Sequence, residues 1–294
     1  MDNTDLKGIF SALLISFDEN GHINEQGIRE IIRHNIDKMK IDGLYVGGST
    51  GENFMLSTEE KKEIFRIAKD EVKNDVRLIA QVGSINVKEA VELAKYVTEL
   101  GYDAISAVTP FYYKFSFSEI KEYYNTIVNS CNNRMIIYSI PFLTNVNMDV
   151  SQFGELLENK NIIGIKFTAA DFFLLERTRK AFPDKLLWAG FDEMMLPALS
   201  LNVDGAIGST FNVNGIRARQ IFNLAQEGKF SEALELQHIT NDLIEAILNN
   251  GLYSTLKNIL EEQGVNAGYC RRPMASSTPE QKAKAKEIYQ KYLV

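Results

Sequence analysis

Ile162-Ile163-Gly164-Ile165-Lys166-Phe167-Thr168 puts a lysine where a buried strand has every reason to carry another isoleucine. A short apolar run rich in β-branched residues reads as a strand covered on both faces, as the strands of parallel sheets are. Side chains alternate along a strand, so Gly164, Lys166 and Thr168 are expected on one face and Ile163, Ile165 and Phe167 on the other. If the first face lines a barrel or pocket, desolvation disfavours the ammonium and lowers its pKa, leaving a free amine that can attack a carbonyl. The same lysine at a strand end could instead pack its stem and hold its head in water. The rest of the chain decides between the two.

On either side of this run the sequence repeats one element pair, a short apolar strand followed by an amphipathic helix. The strands are expected at Phe10–Ile15, Gly43–Val46, Leu78–Val82, Ala104–Val108, Met135–Ile140, Ile162–Phe167, Leu186–Ala189 and Gly205–Ile207. Between them lie helical patterns such as Thr58–Val72, with Ile64, Phe65, Ala68 and Val72 on one face, and Asn86–Leu100. Ser57 and Thr58 ahead of Glu59 and Glu60 supply a good helix entry. Eight such units favour a closed (β/α)8 TIM barrel over an open doubly wound sheet. The barrel is assigned to residues 1–228. Residues 229–294 read only as helix and form a C-terminal extension of about three helices, Phe230–Asn249, Leu252–Glu262 and Pro279–Tyr292.

Composition narrows the function. With 45% apolar residues the 294-residue chain can bury a large core, and 32 basic against 39 acidic residues, with no basic block, make nucleic acid and anionic membranes poor partners. No run approaches the ~18 apolar residues of a bilayer span, and the acidic start is unlike a signal peptide. Cys131 and Cys270 stand far apart and read as free thiols of a cytoplasmic protein. His22, His34 and His238 avoid the strand ends, which disfavours a metal site or a histidine triad.

In a parallel barrel the chemistry sits at the C-terminal ends of the strands. After the second strand, Gly47-Gly48-Ser49-Thr50-Gly51-Glu52 reads either as a plain turn or as an anion nest for a carboxylate; it lacks the Walker and Rossmann spacings. Tyr138, in Ile136-Ile137-Tyr138-Ser139-Ile140-Pro141, could stand beside Lys166 on the neighbouring strand and relay protons, or be a core tyrosine tied to the backbone. Phe111-Tyr112-Tyr113 after strand four suggests a pocket wall or a subunit interface. Asp192 and Glu193 after strand seven, and Ser209 after strand eight, offer polar groups for a hydroxyl-rich ligand, although the acids could merely cap the next helix.

The ordered motifs Gly47-Gly48-Ser49-Thr50-Gly51-Glu52, Tyr138-Ser139-Ile140-Pro141, Gly164-Ile165-Lys166-Phe167-Thr168 and Gly190-Phe191-Asp192-Glu193 are similar to those of the dihydrodipicolinate synthase / N-acetylneuraminate lyase family of class I aldolases. The resemblance spans essentially the whole chain, and it is closer to the members that cleave sialic acid. It implies that Lys166 forms a Schiff base with sialic acid or pyruvate, so that sialic acid is split reversibly into N-acetylmannosamine and pyruvate with neither cofactor nor metal. It also implies that Tyr138 shuttles the proton, Ser49 and Thr50 hold the substrate carboxylate, and Thr168 orients the reacting hydroxyl. Gly190, Asp192, Glu193 and Ser209 would bind the sugar-derived tail. Tyr112 would reach the site of an adjacent subunit in a homotetramer. The sequence departs from the family at Ser16, Asn145 and Ala170, where proline, glycine and glycine are frequent, and none of these removes a reactive group. The synthase branch would require an arginine two residues after Pro141 to grip a second carboxylate. This chain has Leu143 there. A sugar-acid binding barrel without turnover is the remaining alternative.

Overall fold

Eight short parallel strands close on one another in the computed structural model of the chain, which describes residues 3–294. They are β1 (Gly8–Ala12), β2 (Gly43–Val46), β3 (Arg77–Gln81), β4 (Ala104–Val108), β5 (Met135–Ser139), β6 (Ile162–Phe167), β7 (Leu186–Ala189) and β8 (Gly205–Gly208). Each pairs with the next, and β8 pairs back onto β1, giving the (β/α)8 barrel. Four strands fall where the periodicity puts them. β1 differs most: it begins at Gly8, whose amide bonds to Asp204 O, and ends at Ala12, so Leu13–Ile15 run on as buried rim. A glycine carries no β-branched signal, which hides that start from a reading of side chains.

The helices begin where capping chemistry starts them. Ser57 accepts from the Glu60 amide and Glu60 returns a bond to the Ser57 amide, which fixes the entry of Thr58–Val72. Asn86 caps Val87–Glu99 in a simpler way. Their apolar faces, including Ile64, Phe65, Leu93 and Val97, pack on the outside of the strands.

Inside the barrel a separate cluster includes Phe10, Tyr45, Ile79, Ile136, Trp188 and Ile207. The Trp188 indole N–H donates to Leu6 O at 3.0 Å, tying the Thr4–Leu6 turn to this core. The barrel is therefore filled with side chains, and only its upper rim is left for chemistry. One expected facing is corrected here: Ile163 belongs to the inner cluster, not to the outer face with Ile165 and Phe167. The β5/β6 register shifts between Met135, opposite Ile162, and Ile136, opposite Gly164. This irregularity interrupts the alternation before Gly164. Beyond it the register is regular, and Lys166 stands opposite Tyr138 on one side and Trp188 on the other.

The extension forms three helices, Phe230–Asn250, Leu252–Glu262 and Pro279–Tyr292. Leu243, Ile247, Leu256, Ile259 and Leu260 are buried in the same cluster that covers the outside of the strands. Among the described residues no helix is long and apolar enough to cross a membrane.

Candidate active site

Lys166 is 4% exposed, and its Nζ lies over two aromatic faces, 3.8 Å from the Tyr138 ring centroid and 4.5 Å from that of Tyr45. Burial pulls its pKa down to about 7, against a smaller opposing pull from the Asp192 carboxylate. About half of such a lysine is free amine at neutral pH, against on the order of one part in 10³ for an ordinary lysine. The lysine is thus desolvated at a strand end without reaching bulk water, the condition a carbonyl-attacking amine requires.

The other tyrosines around the barrel make Tyr138 distinctive by contrast. Tyr102, Tyr123 and Tyr124 each donate to a backbone carbonyl, those of Phe65, Val108 and Ala107. Among the described residues no carbonyl takes the Tyr138 hydroxyl. Burial raises its pKa to about 12, and the hydroxyls of Ser49 and Thr168 pull it partly back. The phenol is therefore a protonated acid at rest, with two hydroxyls as its polar neighbours. Thr168 Oγ1 is buried, and among the described residues it has no hydrogen-bond partner of ordinary geometry. Gly190 makes room for that hydroxyl, since a Cβ there would lie 1.8 Å from it. An unpaired buried hydroxyl costs about 1–3 kcal/mol until something bonds to it.

Ser49–Gly51 forms a tight turn in which Gly51 and Glu52 donate back to Gly48 O and Ser49 O, each at 3.0 Å. Among the described residues no protein acceptor takes the Ser49 and Thr50 amides at its head. Thr50 Oγ1 and Ser209 Oγ are 2.6 Å apart, which joins the loops after β2 and β8. Asp192 does not cap the turn that follows it. Its Oδ2 accepts from the Thr210 amide at 2.8 Å and the Thr210 hydroxyl at 2.6 Å, and burial raises its pKa to about 6. Glu193, next to it, is only partly buried.

The structure thus brings Lys166, Tyr138, Thr168, Ser49, Thr50, Gly190, Asp192, Glu193 and Ser209 to one rim. It does not bring Tyr112 there: that side chain is 83% exposed, stacked edge-on against Tyr113, on a backbone with φ of 75°. Two residues with no assigned role in the sequence reading also belong to the site. Tyr45 forms part of the floor under Lys166, in contact with Tyr138 and held by a 2.9 Å bond to Ser106 Oγ. It carries the same signal as Tyr138, a phenol in an aliphatic strand. Tyr253 lines a cavity of about 230 Å³ with Ser49, Ile140 and Leu143. It comes from the helical extension, where no local pattern marks it.

A closed barrel holding a desolvated lysine against a phenol, with a hydroxyl-bearing loop across from them, defines the class of Schiff-base barrel aldolases. Comparison with known proteins is more specific. The sequence profile of the dihydrodipicolinate synthetase family matches residues 5–292, and the chain belongs to that family. An N-acetylneuraminate lyase of Clostridium perfringens is 74% identical over 287 residues, 98% of this chain and 100% of the relative. The Clostridium difficile protein CdNal, solved in complex with mannosamine, superposes with a TM-score of 0.97 at 74% identity, covering 98% of this chain and 99% of its own. N-acetylneuraminate lyase from Fusobacterium nucleatum, solved with pyruvate, gives 0.96 at 68% identity, covering 100% and 99%.

Proposed function

We infer that the chain is a carbon–carbon lyase that cleaves N-acetylneuraminate reversibly to N-acetylmannosamine and pyruvate. The observation that carries this reading is the buried Lys166 amine over the Tyr138 ring, in a chain 74% identical over 98% of its length to a lyase of that name. Nζ attacks the substrate ketone and water leaves, giving a protonated imine. The carbon–carbon bond then breaks with its electron pair flowing into the imine, while the adjacent hydroxyl gives up its proton and becomes the aldehyde of the sugar. Tyr138, assisted by the substrate carboxylate, relays that proton. The enamine left on Lys166 takes up a proton at carbon, and water releases pyruvate. Ser49 and Thr50 hold the carboxylate, with Ser209 bonded to Thr50. Thr168 uses its unpaired hydroxyl on the reacting alcohol. Gly190, Asp192 and Glu193 face the sugar tail.

Release of pyruvate from N-acetylneuraminate, followed by a coupled reductase, tests the reading. Leu143, 56% exposed and lining the same cavity as Ser49, is a neutral wall where the synthases need a cation. Leu143→Arg is therefore expected to weaken sialic acid cleavage. Glu193→Ala should raise the KM for sialic acid by roughly 10-fold, because sugar hydroxyls left unpaired cost about 1–3 kcal/mol, and should spare imine formation with pyruvate. If the wild type condenses pyruvate with aspartate semialdehyde faster than it cleaves sialic acid, the lyase reading is wrong.

We further propose that the chain works as a homotetramer in the cytoplasm. The free thiols of Cys131 and Cys270 suit a reducing compartment. Tyr112, Tyr113, Phe142 and Leu143 form an exposed apolar rim of the kind that partners cover. A tyrosine held at positive φ is a strained backbone position, which accords with Tyr112 being aimed into a neighbour's site. Tyr112→Ala should lose activity, and co-assembly with an inactive Lys166→Ala chain should restore part of it, because some mixed sites then contain both side chains. No recovery in verified hybrids places Tyr112 outside the partner's site.

A further inference from the structure

Glu52 ends the Ser49–Thr50 loop in a left-handed backbone conformation, φ 59°, and is 2% exposed. Its Oε1 accepts from Lys257 Nζ at 2.6 Å and its Oε2 from the Arg271 amide at 2.5 Å. Lys257 lies on the helix Leu252–Glu262 and is 1% exposed; the same ammonium donates to Tyr269 O and sits 5.0 Å from the Phe17 ring centroid. Each charge comes from a different part of the molecule, the acid from the barrel and the base from the helical extension. The extension holds a second rim loop as well. Gln237 Nε2 donates to Asp192 O at 3.1 Å and Asn241 Nδ2 to Glu193 O at 3.2 Å.

A buried ion pair is a poor source of stability, since desolvation of the two charges offsets most of their attraction and apolar replacements are often neutral. Its use is geometric, because it fixes one relative placement of the two groups and leaves a bare buried charge in any other. Glu52 is one residue from Gly51 and donates its own amide to Ser49 O, so the placement of its carboxylate sets the pitch of the turn that carries Ser49 and Thr50. We propose that the Glu52–Lys257 pair is a positioning device through which the C-terminal helices set the substrate-carboxylate grip of the loop after β2. The assignment rests on the reading above that Ser49 and Thr50 bind that carboxylate.

The condensation direction separates the effects, because only pyruvate brings the carboxylate and the sugar aldehyde has none. Lys257→Met is expected to raise the KM for pyruvate about 10- to 100-fold, the scale of a displacement near 1 Å in a positioning group. The KM for N-acetylmannosamine and kcat should stay within about twofold. The double variant Glu52→Gln/Lys257→Met removes both charges, keeps an acceptor for the Arg271 amide, and should show the same selective rise even if Lys257→Met alone is recovered unfolded. Leu256→Ala, buried on the same helix, is the control for general loosening. Thr50→Val is the reference for the loop itself. A folded double variant with the wild-type pyruvate KM overturns the assignment. So does a double variant that fails to fold, which makes the pair structural, or an equal rise in pyruvate KM in Leu256→Ala. An unchanged pyruvate KM in Thr50→Val overturns the reading of the loop itself, and this assignment with it.

Discussion

Lys166→Ala should abolish turnover by several orders of magnitude while leaving a folded barrel, because it deletes the covalent route and removes a charge-bearing group from an apolar site. Borohydride added with pyruvate should trap a stable adduct on Lys166 alone in the wild type and none in the variant. The depressed pKa of Lys166 adds a pH signature. Below about pH 7 the amine is protonated and cannot attack; above it the free amine dominates. The rate of imine formation at fixed pyruvate should therefore climb tenfold per pH unit below 7 and level off above it. A climb continuing toward pH 10 would mean an ordinary, solvated lysine. Trapping at another lysine, or full activity in Lys166→Ala, would refute the covalent assignment.

The second large effect belongs to Tyr138→Phe. The substitution keeps the ring that packs against Lys166 and Tyr45 and removes only the hydroxyl, which no backbone carbonyl among the described residues holds. Turnover should fall by roughly 10² to 10⁴ if the phenol transfers the proton of the cleaved alcohol. The borohydride-trapped adduct should still form, because imine formation uses the lysine. The phenol's pKa near 12 explains why it needs help: a group this reluctant to ionise cannot act as a base until a neighbour takes its own proton. Unchanged turnover in a folded variant would place Tyr138 in the core with Tyr123 and Tyr124.

What was legible in the chain follows from the range of the interactions involved. A strand buried on both faces must be apolar along its length, so β2, β4, β6 and β7 can be read to the residue. Where a strand starts on Gly8 or on the exposed Arg77 no apolar signal exists, and pairing with a neighbour far along the chain sets the boundary. The lysine and the phenol were legible for the same reason, as polar atoms in runs whose burial demands apolar ones.

Alternation alone could not say that Ile163 turns inward, because an irregularity of register is a property of two strands together. Nor could it say whether Asp192 caps its own turn or crosses to Thr210, a choice made by the pairing of β7 with β8, which sets the loops after them side by side. The sequence by itself determined a barrel of eight strand-helix units and a buried lysine at the end of the sixth strand, because local periodicity and the cost of burying an amine are readable one segment at a time. Only the tertiary structure decided that Tyr45 lies under that lysine, that Tyr253 borders the cavity, and that Lys257 grips Glu52 across the boundary with the helical extension. Those contacts join residues far apart in the chain, and a buried charge finds its partner only when the fold has brought the two together.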